Sequence, residues 1–535
     1  MKRRKIKIGL GIAVFLVIAI LLIVVAVMYF KGEEQKVPEP IVPNETETKK
    51  LSKYMINSNS LEDFDLRFLQ LENEKVNKIY SPLSIKYTLG MLNEGTEGAS
   101  KEQISGLIGT YKTNKYIDSK NMSFANALFI RDTYKNSIKK DFVSNLKDKY
   151  NADVVYDTFN SSEKVNSWIN NKTLNLIDNM LSDSDVKELD FALINALAID
   201  MNWADKFLEH NLTSTDYKHE NYSWSAPENI LSNKFNNVDN EISGMGIISS
   251  INNYDIVNTL GEENIRKTVG DEFRKYLSED PYGDAEYYLE GKNIETAVKD
   301  YLDTYIEELN SNYKSIYKNT DFSVYEDENV KAFAKDLDEY NGTTLQYVAI
   351  MPEEDLSTYI NKISAEDINK IINNLKELKS ENFKEGVITQ IVGYIPKFKF
   401  DYELNLVKDL NDMGVTDVFE KDKANLKGIT DDDAYIGQAL HKANIEFTQD
   451  GIKAAATTMI GGLGAGGTFD YLYDVPVEKI TLNFDKPYMF IIRDKSTGEV
   501  WFAGTVYEPL SLKDEPETES EYSTIMSYSD FIKNL

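Results

Sequence analysis

Cysteine does not occur in the 535 residues, and histidine occurs only at His210, His219 and His441. Without cysteine there is no disulfide, no thiol catalysis, no CxxC redox chemistry and no thiolate-bound zinc. With so few histidines and neither HExxH nor GxSxG, the chain offers no zincin motif and no hydrolase nucleophile elbow. Positive charge is also scarce: 59 Lys and Arg stand against 88 Asp and Glu, a formal net charge of −29. That argues against nucleic acid, whose affinity comes from phosphates meeting cations. Gly462–Gly467, GLGAGG, fits GxGxxG, but TFDYLYDVP follows it where a dinucleotide fold needs a helix, and no strongly buried strand precedes it. No cofactor and no metal are expected.

What is present is a globular composition, 42% hydrophobic with 33 Tyr and 24 Phe, in a chain long enough for a large core. Residues 1–7 form a basic flank, and Ile8–Phe30 follows without a charge, long enough to cross a bilayer as a helix. Val27, Met28, Tyr29 and Phe30 make a poor cleavage site, so residues 8–30 are read as an uncleaved signal anchor. The flank stays cytoplasmic and the body lies outside the cell membrane. Residues 31–50, with three prolines, many charges and no periodicity, are a tether. Leu61, Phe64, Phe68 and Leu71 have helical spacing, and a second helix opens at Ser81–Pro82, with Ile85, Leu89 and Leu92 on one side.

The stretch from Thr448 to Thr481 is organised differently. If extended, it places Ile452, Ala454, Ala456, Thr458, Ile460 and Gly462 on one uncharged face and Gln449, Lys453 and Thr457 on the other. It lacks the bulk of a committed strand and runs into GGLGAGG. It reads as a loop able to become a strand, with a plain Ala/Gly surface linker as the alternative.

Ordered motifs then identify a family. NKIYSPLSIKYTLGMLNEGTEGASKEQI (77–104), SFANALFI (123–130), VNSWINNKTLNLIDNML (165–181), INALAIDMNWADKF (194–207), VAIMPEE (348–354), IPKFKFDYELNL, ALHKANIEFTQDGIKAAATT and FDKPYMFIIRDKSTGEVWFAGTVYEP follow one another in register. Together they resemble the serpin family of serine protease inhibitors over most of residues 51–509. The segment 165–181 resembles that family's helix F. The resemblance implies an α+β fold with three β-sheets, roughly nine helices and an exposed reactive-centre loop. It also implies a suicide mechanism, in which a protease serine attacks the loop and the cut loop inserts into the central sheet.

By the same resemblance the hinge comprises Gln449, Gly451, Ile452, Ala454, Ala455, Ala456, Thr457 and Thr458. Ser81, Ser84, Asn195, Trp203 and His441 are expected where the sheet opens, His441 hydrogen-bonding beneath it; on residues alone, His441 reads as a satisfied core histidine. Counting from Gly451 by the family spacing puts the scissile bond at Ala465–Gly466, suited to elastase-like or subtilisin-like proteases. Counting back from Lys486–Pro487 puts it near Val475, because the loop is about eleven residues longer than the family's usual one. Tyr471 and Tyr473 fit a chymotrypsin-like target. Gln449 and Ile452 depart from the family hinge, which bears on trapping efficiency. Between Trp203 and Pro352 the chain carries a surplus placed at residues 225–320, where Asn293–Tyr317 and Gly261–Leu277 show helical patterns. Residues 510–535 form a polar tail. The expected partner is an extracellular serine protease, met by a monomer. A non-inhibitory serpin binding through the 225–320 insertion is the second reading. An abundance of Asn, Lys and Ile points to an AT-rich bacterial genome.

Overall fold

The computed structural model describes residues 51–510 except 52, 117, 188, 205–206, 208–216, 220–221, 225–243, 253–256, 258–260, 282, 315–321, 385–387, 438, 449–450, 453–468 and 470–476. The flank, anchor and tether assigned to residues 1–50, and the tail assigned to residues 510–535 beyond its first residue, lie outside these, and no helix among the described residues is long and apolar enough to cross a membrane.

Two helices near the start of the described chain set the frame. Helix α1 (Asp63–Leu71) begins where the Glu62 amide donates to the Asp65 carboxylate at 2.9 Å. Helix α2 (Pro82–Asn93) begins where Ser81 is extended and its side chain accepts the Ser84 amide, with Pro82 in the first turn. Pro82–Tyr87 and Leu89–Leu92 are all buried, so α2 is covered on every side and lies in the core. One ion pair goes in with it. Lys86 Nζ sits 2.6 Å from Asp65 on α1, both side chains wholly inaccessible. Burial pushes the Asp65 carboxyl up against the pull of that ammonium.

Helices α3 (Gly98–Ile108) and α4 (Lys140–Tyr150) flank α2, while α5 (Glu163–Lys172) and α6 (Asp183–Lys187) seat Val165, Ile169 and Val186 on Ala127 and Phe129. The helix-F segment expected over 165–181 stops at Lys172, because Leu174 and Asn175 take left-handed backbone angles (φ 56° and 62°) that no right-handed helix accommodates. Further on come α7 (Glu262–Glu279), α8 (Ala285–Leu289), α9 (Ile294–Lys314), α10 (Leu356–Lys362), α11 (Ala365–Asn373) and α12 (Leu406–Asp412). Twelve α-helices among the described residues thus replace roughly nine expected from the family, and α7, α8 and α9 belong to the insertion.

A seven-stranded antiparallel sheet has the order β1 (Lys78–Tyr80), β19 (Val500–Val506), β18 (Tyr488–Asp494), β11 (Leu345–Pro352), β10 (Val330–Asp336), β9 (Phe322–Glu326), β12 (Lys376–Glu377). Every residue of β11 and β19 is buried, as befits strands covered on both faces. A three-stranded sheet has the order β17 (Val477–Asn483), β13 (Ile388–Pro396), β8 (Gly244–Asn252), with β17 parallel to β13. Gly393 of β13 permits that approach, since a Cβ there would stand 2.2 Å from the Leu482 carbonyl oxygen.

The remaining strands form one central sheet in two halves. One half is β3 (Asp153–Asp157), β2 (Met122–Arg131), β4 (Phe191–Ile199); the other is β14 (Phe398–Asn405), β15 (Leu440–Phe447), β16 (Gly451–Ile452), β5 (Met201–Asn202). Only Asp200 separates β4 from β5, so one long strand serves both halves. A hairpin of β6 (Tyr217–His219) and β7 (Tyr222–Trp224) stands apart. Among the described residues, five sheets therefore appear where three were expected: the central sheet is divided along its length, and the hairpin adds another.

The insertion has its own apolar core. Ile265, Val269, Phe273 and Leu277 of α7 face Ala297, Val298 and Leu302 of α9, with Ala285 of α8 closing the end. The helices expected over 261–277 and 293–317 run over 262–279 and 294–314 and pack together.

Candidate functional site: a divided sheet and a paired hinge

The division of the central sheet creates the site. Among the described residues, β4 pairs along most of its length only with β2, and β15 only with β14, so the facing edges of the two strands have no described partner there. Between them lies a cavity of about 670 Å³ lined by Ile194, Asn195, Ala196 and Leu197 on one side and Leu440, His441, Lys442 and Ala443 on the other. Ser81 and Ser84 reach it from the first turn of α2. β15 alternates half-buried and buried, with His441, Ala443, Ile445 and Phe447 facing inward.

At one end the gap is closed by two residues. Ile452 of β16 is antiparallel partner to Phe447 on β15 and to Met201 on β5, and Gly451 is partner to Asn202. Gly451 and Ile452, two of the residues expected in the hinge, therefore lie between the two halves. Trp203, directly after β5, holds the residue that follows β15: the indole Nε1–H donates to the Thr448 carbonyl at 2.9 Å. The indole is 2% exposed and packs edge-on to Phe207, Tyr347 and Phe447, with centroids 5.3–5.9 Å away.

Further down, polar groups hold the gap. The Ser81 amide donates to His441 Nε2 at 2.9 Å, which requires the neutral imidazole to carry its proton on Nδ1. Burial lowers the His441 pKa to about 4. Ser84 Oγ donates to Asn195 Oδ1. Asn195 Nδ2 donates to Asn126 Oδ1 at 2.8 Å, and Asn126 Nδ2 to the Tyr150 carbonyl at 2.8 Å. This chain ties α2, β4, β2 and the end of α4 together without a charge.

Of the site residues read from the sequence, Ser81, Ser84, Asn195 and His441 converge on the cavity. Trp203 stands at the hinge end. Gly451 and Ile452 are described by their backbone pairing. Gln449, Ala454, Ala455, Ala456, Thr457, Thr458, Ala465 and Gly466 lie outside the described residues. Sequence reasoning missed Asn126, whose position in SFANALFI marks only a strand; its amide partner is 69 residues away. It also missed Phe469, a described residue within the loop.

A family model described as "Serpin (serine protease inhibitor)" matches residues 59–234 and 304–509. The chain belongs to the serpin family. This serpin is 23% identical over 476 residues to an uncharacterized serpin-like protein of Methanosarcina acetivorans, spanning 84% of the chain and 85% of the relative. It is 23% identical to human neuroserpin (82% and 88% covered) and 23% identical to the human leukocyte elastase inhibitor (83% and 97%). Among solved structures it resembles the thermophilic serpin tengpin in its native state (TM-score 0.53, 20% identity, 88% and 97% covered). It also resembles uncleaved ovalbumin (TM-score 0.52, 18%, 85% and 100%). At such identities these structures speak for the fold alone. The family match breaks off between 234 and 304, which leaves α7, α8 and the first residues of α9 outside the pattern this serpin shares with its relatives.

Proposed function

We propose that this serpin is an extracellular, membrane-tethered inhibitor of serine proteases that acts by loop cleavage and insertion. The observation that carries the reading is at the expected hinge: β16 is bonded on both sides at the mouth of a gap between strands whose facing edges have no partner among the described residues. Extending its register along the gap gives each loop residue a pair of partners. Ala454 would meet Ile445 and Ile199, Ala456 would meet Ala443 and Leu197, and Thr458 would meet His441 and Asn195. Directly opposed residues share a face, and the β15 partners are the inward ones, so the small uncharged face of the loop is the one that would be buried. A charge on it would be buried without a partner.

In the proposed reaction the protease serine adds to the Ala465 carbonyl. The C–N bond to Gly466 breaks, the amine leaves protonated, and an ester joins the protease to Ala465. Insertion from Ile452 to Ala465 at ~3.3 Å per residue would carry that ester about 40 Å along the sheet before water can resolve it. A small residue at the attacked position favours elastase-like or subtilisin-like targets, in keeping with the name of the leukocyte elastase inhibitor. Residues 8–30 would hold the N-terminus in the membrane, and residues 31–50 would give the body reach.

The test mixes the chain from residue 51 onward with elastase, subtilisin and chymotrypsin. An SDS-resistant adduct, release of the fragment after residue 465 and a raised melting temperature of the cleaved protein are expected. Clean cleavage with no adduct and unchanged melting would favour the second reading, a binding module acting through the insertion. The separate helical core outside the family match is the observation that favours it.

A further inference from the structure

Among the described residues, the insertion touches the reactive-centre loop at Phe469. The Phe469 ring lies 4.8 Å from the Phe273 ring, 4.9 Å from Tyr276 and 5.5 Å from Tyr301, centroid to centroid. Its amide donates to the Tyr288 hydroxyl at 2.7 Å, and the Tyr301 hydroxyl donates to its carbonyl at 3.5 Å. The side chain is half-buried against the core of the helical insertion. Both backbone polar groups and the ring are thus met by side chains of α7, α8 and α9.

The slot is built to keep its shape. The Tyr276 hydroxyl donates to both Asp284 carboxylate oxygens, at 2.8 and 2.9 Å. Arg274 of α7 reaches Glu295 of α9 through two hydrogen bonds of 2.9 Å, and Arg266 reaches Asp303 at 2.7 Å. Gly270 brings α7 against α9, since a Cβ there would already be 3.2 Å from Leu302. The slot is also where the family match breaks off, between residues 234 and 304. By the count back from Lys486–Pro487 the loop is about eleven residues longer than the family's usual one, and that excess follows the hinge-counted scissile bond. They meet at Phe469.

We propose that the helical insertion is a latch for the reactive-centre loop, an aromatic slot that takes Phe469 and ties down the leaving side of the scissile bond. The inference rests on the inhibitory reading above for its consequence, though not for the contact itself. Burying residues 453–465 moves Ala465 about 40 Å from the hinge, and residues 466–469 span at most ~14 Å. An intact loop therefore competes with the slot: drawing it fully into the gap pulls Phe469 out. A cut at 465–466 removes the competition, because the inserting strand departs and Phe469 stays seated on the other product. The latch opposes insertion of the uncut loop and leaves the productive insertion free.

Two measurements on the full-length chain separate the parts of this proposal. Hydrogen exchange should show the Phe469 amide protected in the parent and exchanging at least ~10-fold faster in Tyr288→Phe and Phe469→Ala; an unprotected parent amide overturns the latch. Held a few degrees below its melting temperature, Phe469→Ala should lose adduct-forming capacity and gain heat resistance roughly 10-fold faster than the parent, with Phe469→Tyr near the parent. Equal rates for parent and Phe469→Ala overturn the brake. If cleaved parent shows no gain in melting temperature, the inhibitory reading and the brake fail together, while the exchange result still decides the latch.

Discussion

Acidification tests the gap directly, because its wall contains a histidine that the fold keeps neutral. His441 is 9% exposed, and burial lowers its pKa from the ordinary 6.5 to about 4. A histidine depressed in this way binds more protons unfolded than folded between those two values, so its contribution to stability is intact above pH 6.5 and falls as pH drops toward 4. Taking those values, moving from about pH 7.5 to about pH 4.5 should cost roughly 2–3 kcal/mol through this residue alone. Protonation would also put a hydrogen on Nε2, which then could no longer accept the Ser81 amide, so the first turn of α2 should loosen where it borders the cavity. Asp409 works in the opposite sense: its carboxyl is raised to about 7, chiefly by burial, so it adds stability as pH falls below that value. The assay is therefore a difference, with urea unfolding of parent and His441→Gln compared at both pH values. The variant should lack roughly 2–3 kcal/mol of the parent's acid sensitivity. If the two proteins respond alike to pH, or if the His441 ring titrates near 6.5 by NMR, the argument that burial holds this residue neutral is refuted.

Other expectations follow from single residues. Thr458→Arg, aimed at the position between His441 and Asn195, should turn the inhibitor into a substrate that is cleaved without forming adduct, whereas Lys453→Glu on the outward face should behave like the parent; unchanged adduct yield for Thr458→Arg would show that the inward face is misassigned. Lys86→Met leaves the fully buried Asp65 carboxylate without its cation and should destabilise by about 3–5 kcal/mol, while the double variant Lys86→Met/Asp65→Leu should recover most of that loss in the same denaturation assay. Full-length protein should sediment with membranes and resist carbonate extraction, while a chain starting at Gly32 should stay in the supernatant; a mature form cleaved near Met28 would overturn the anchor.

The parts of this fold that are local, or that the family writes in one contiguous run, can be read from the chain. Ser81–Pro82 announces α2 because a hydroxyl cap and a proline leave a helix start as the economical solution. What cannot be read is how distant segments meet. Nothing near Ile452 names Met201 as its second partner, and nothing near Phe469 names Tyr288, 181 positions away. The helix-F segment misleads for a related reason: Leu174 and Asn175 look like helix continuation in one dimension, yet the chain turns through positive φ to bring Ile177 into the α5 core. The family pattern underestimates the helices because α7 to α9 lie largely in a stretch the pattern does not contain.

The doubly bonded hinge has a kinetic meaning. Adding a strand to a sheet resembles closing a zip, in which the first pairing is slow because ordering precedes reward, and each later one is quick. Here Ile452 is already paired between Phe447 and Met201. Under the proposed insertion the remaining resistance would lie downstream, in parting the Ser84–Asn195 and Ser81–His441 contacts as the strand advanced. Insertion speed in this molecule should accordingly follow the strength of those contacts and be nearly indifferent to how long the loop is, which makes the race against hydrolysis of the acyl-enzyme a property of the sheet and not of the bait.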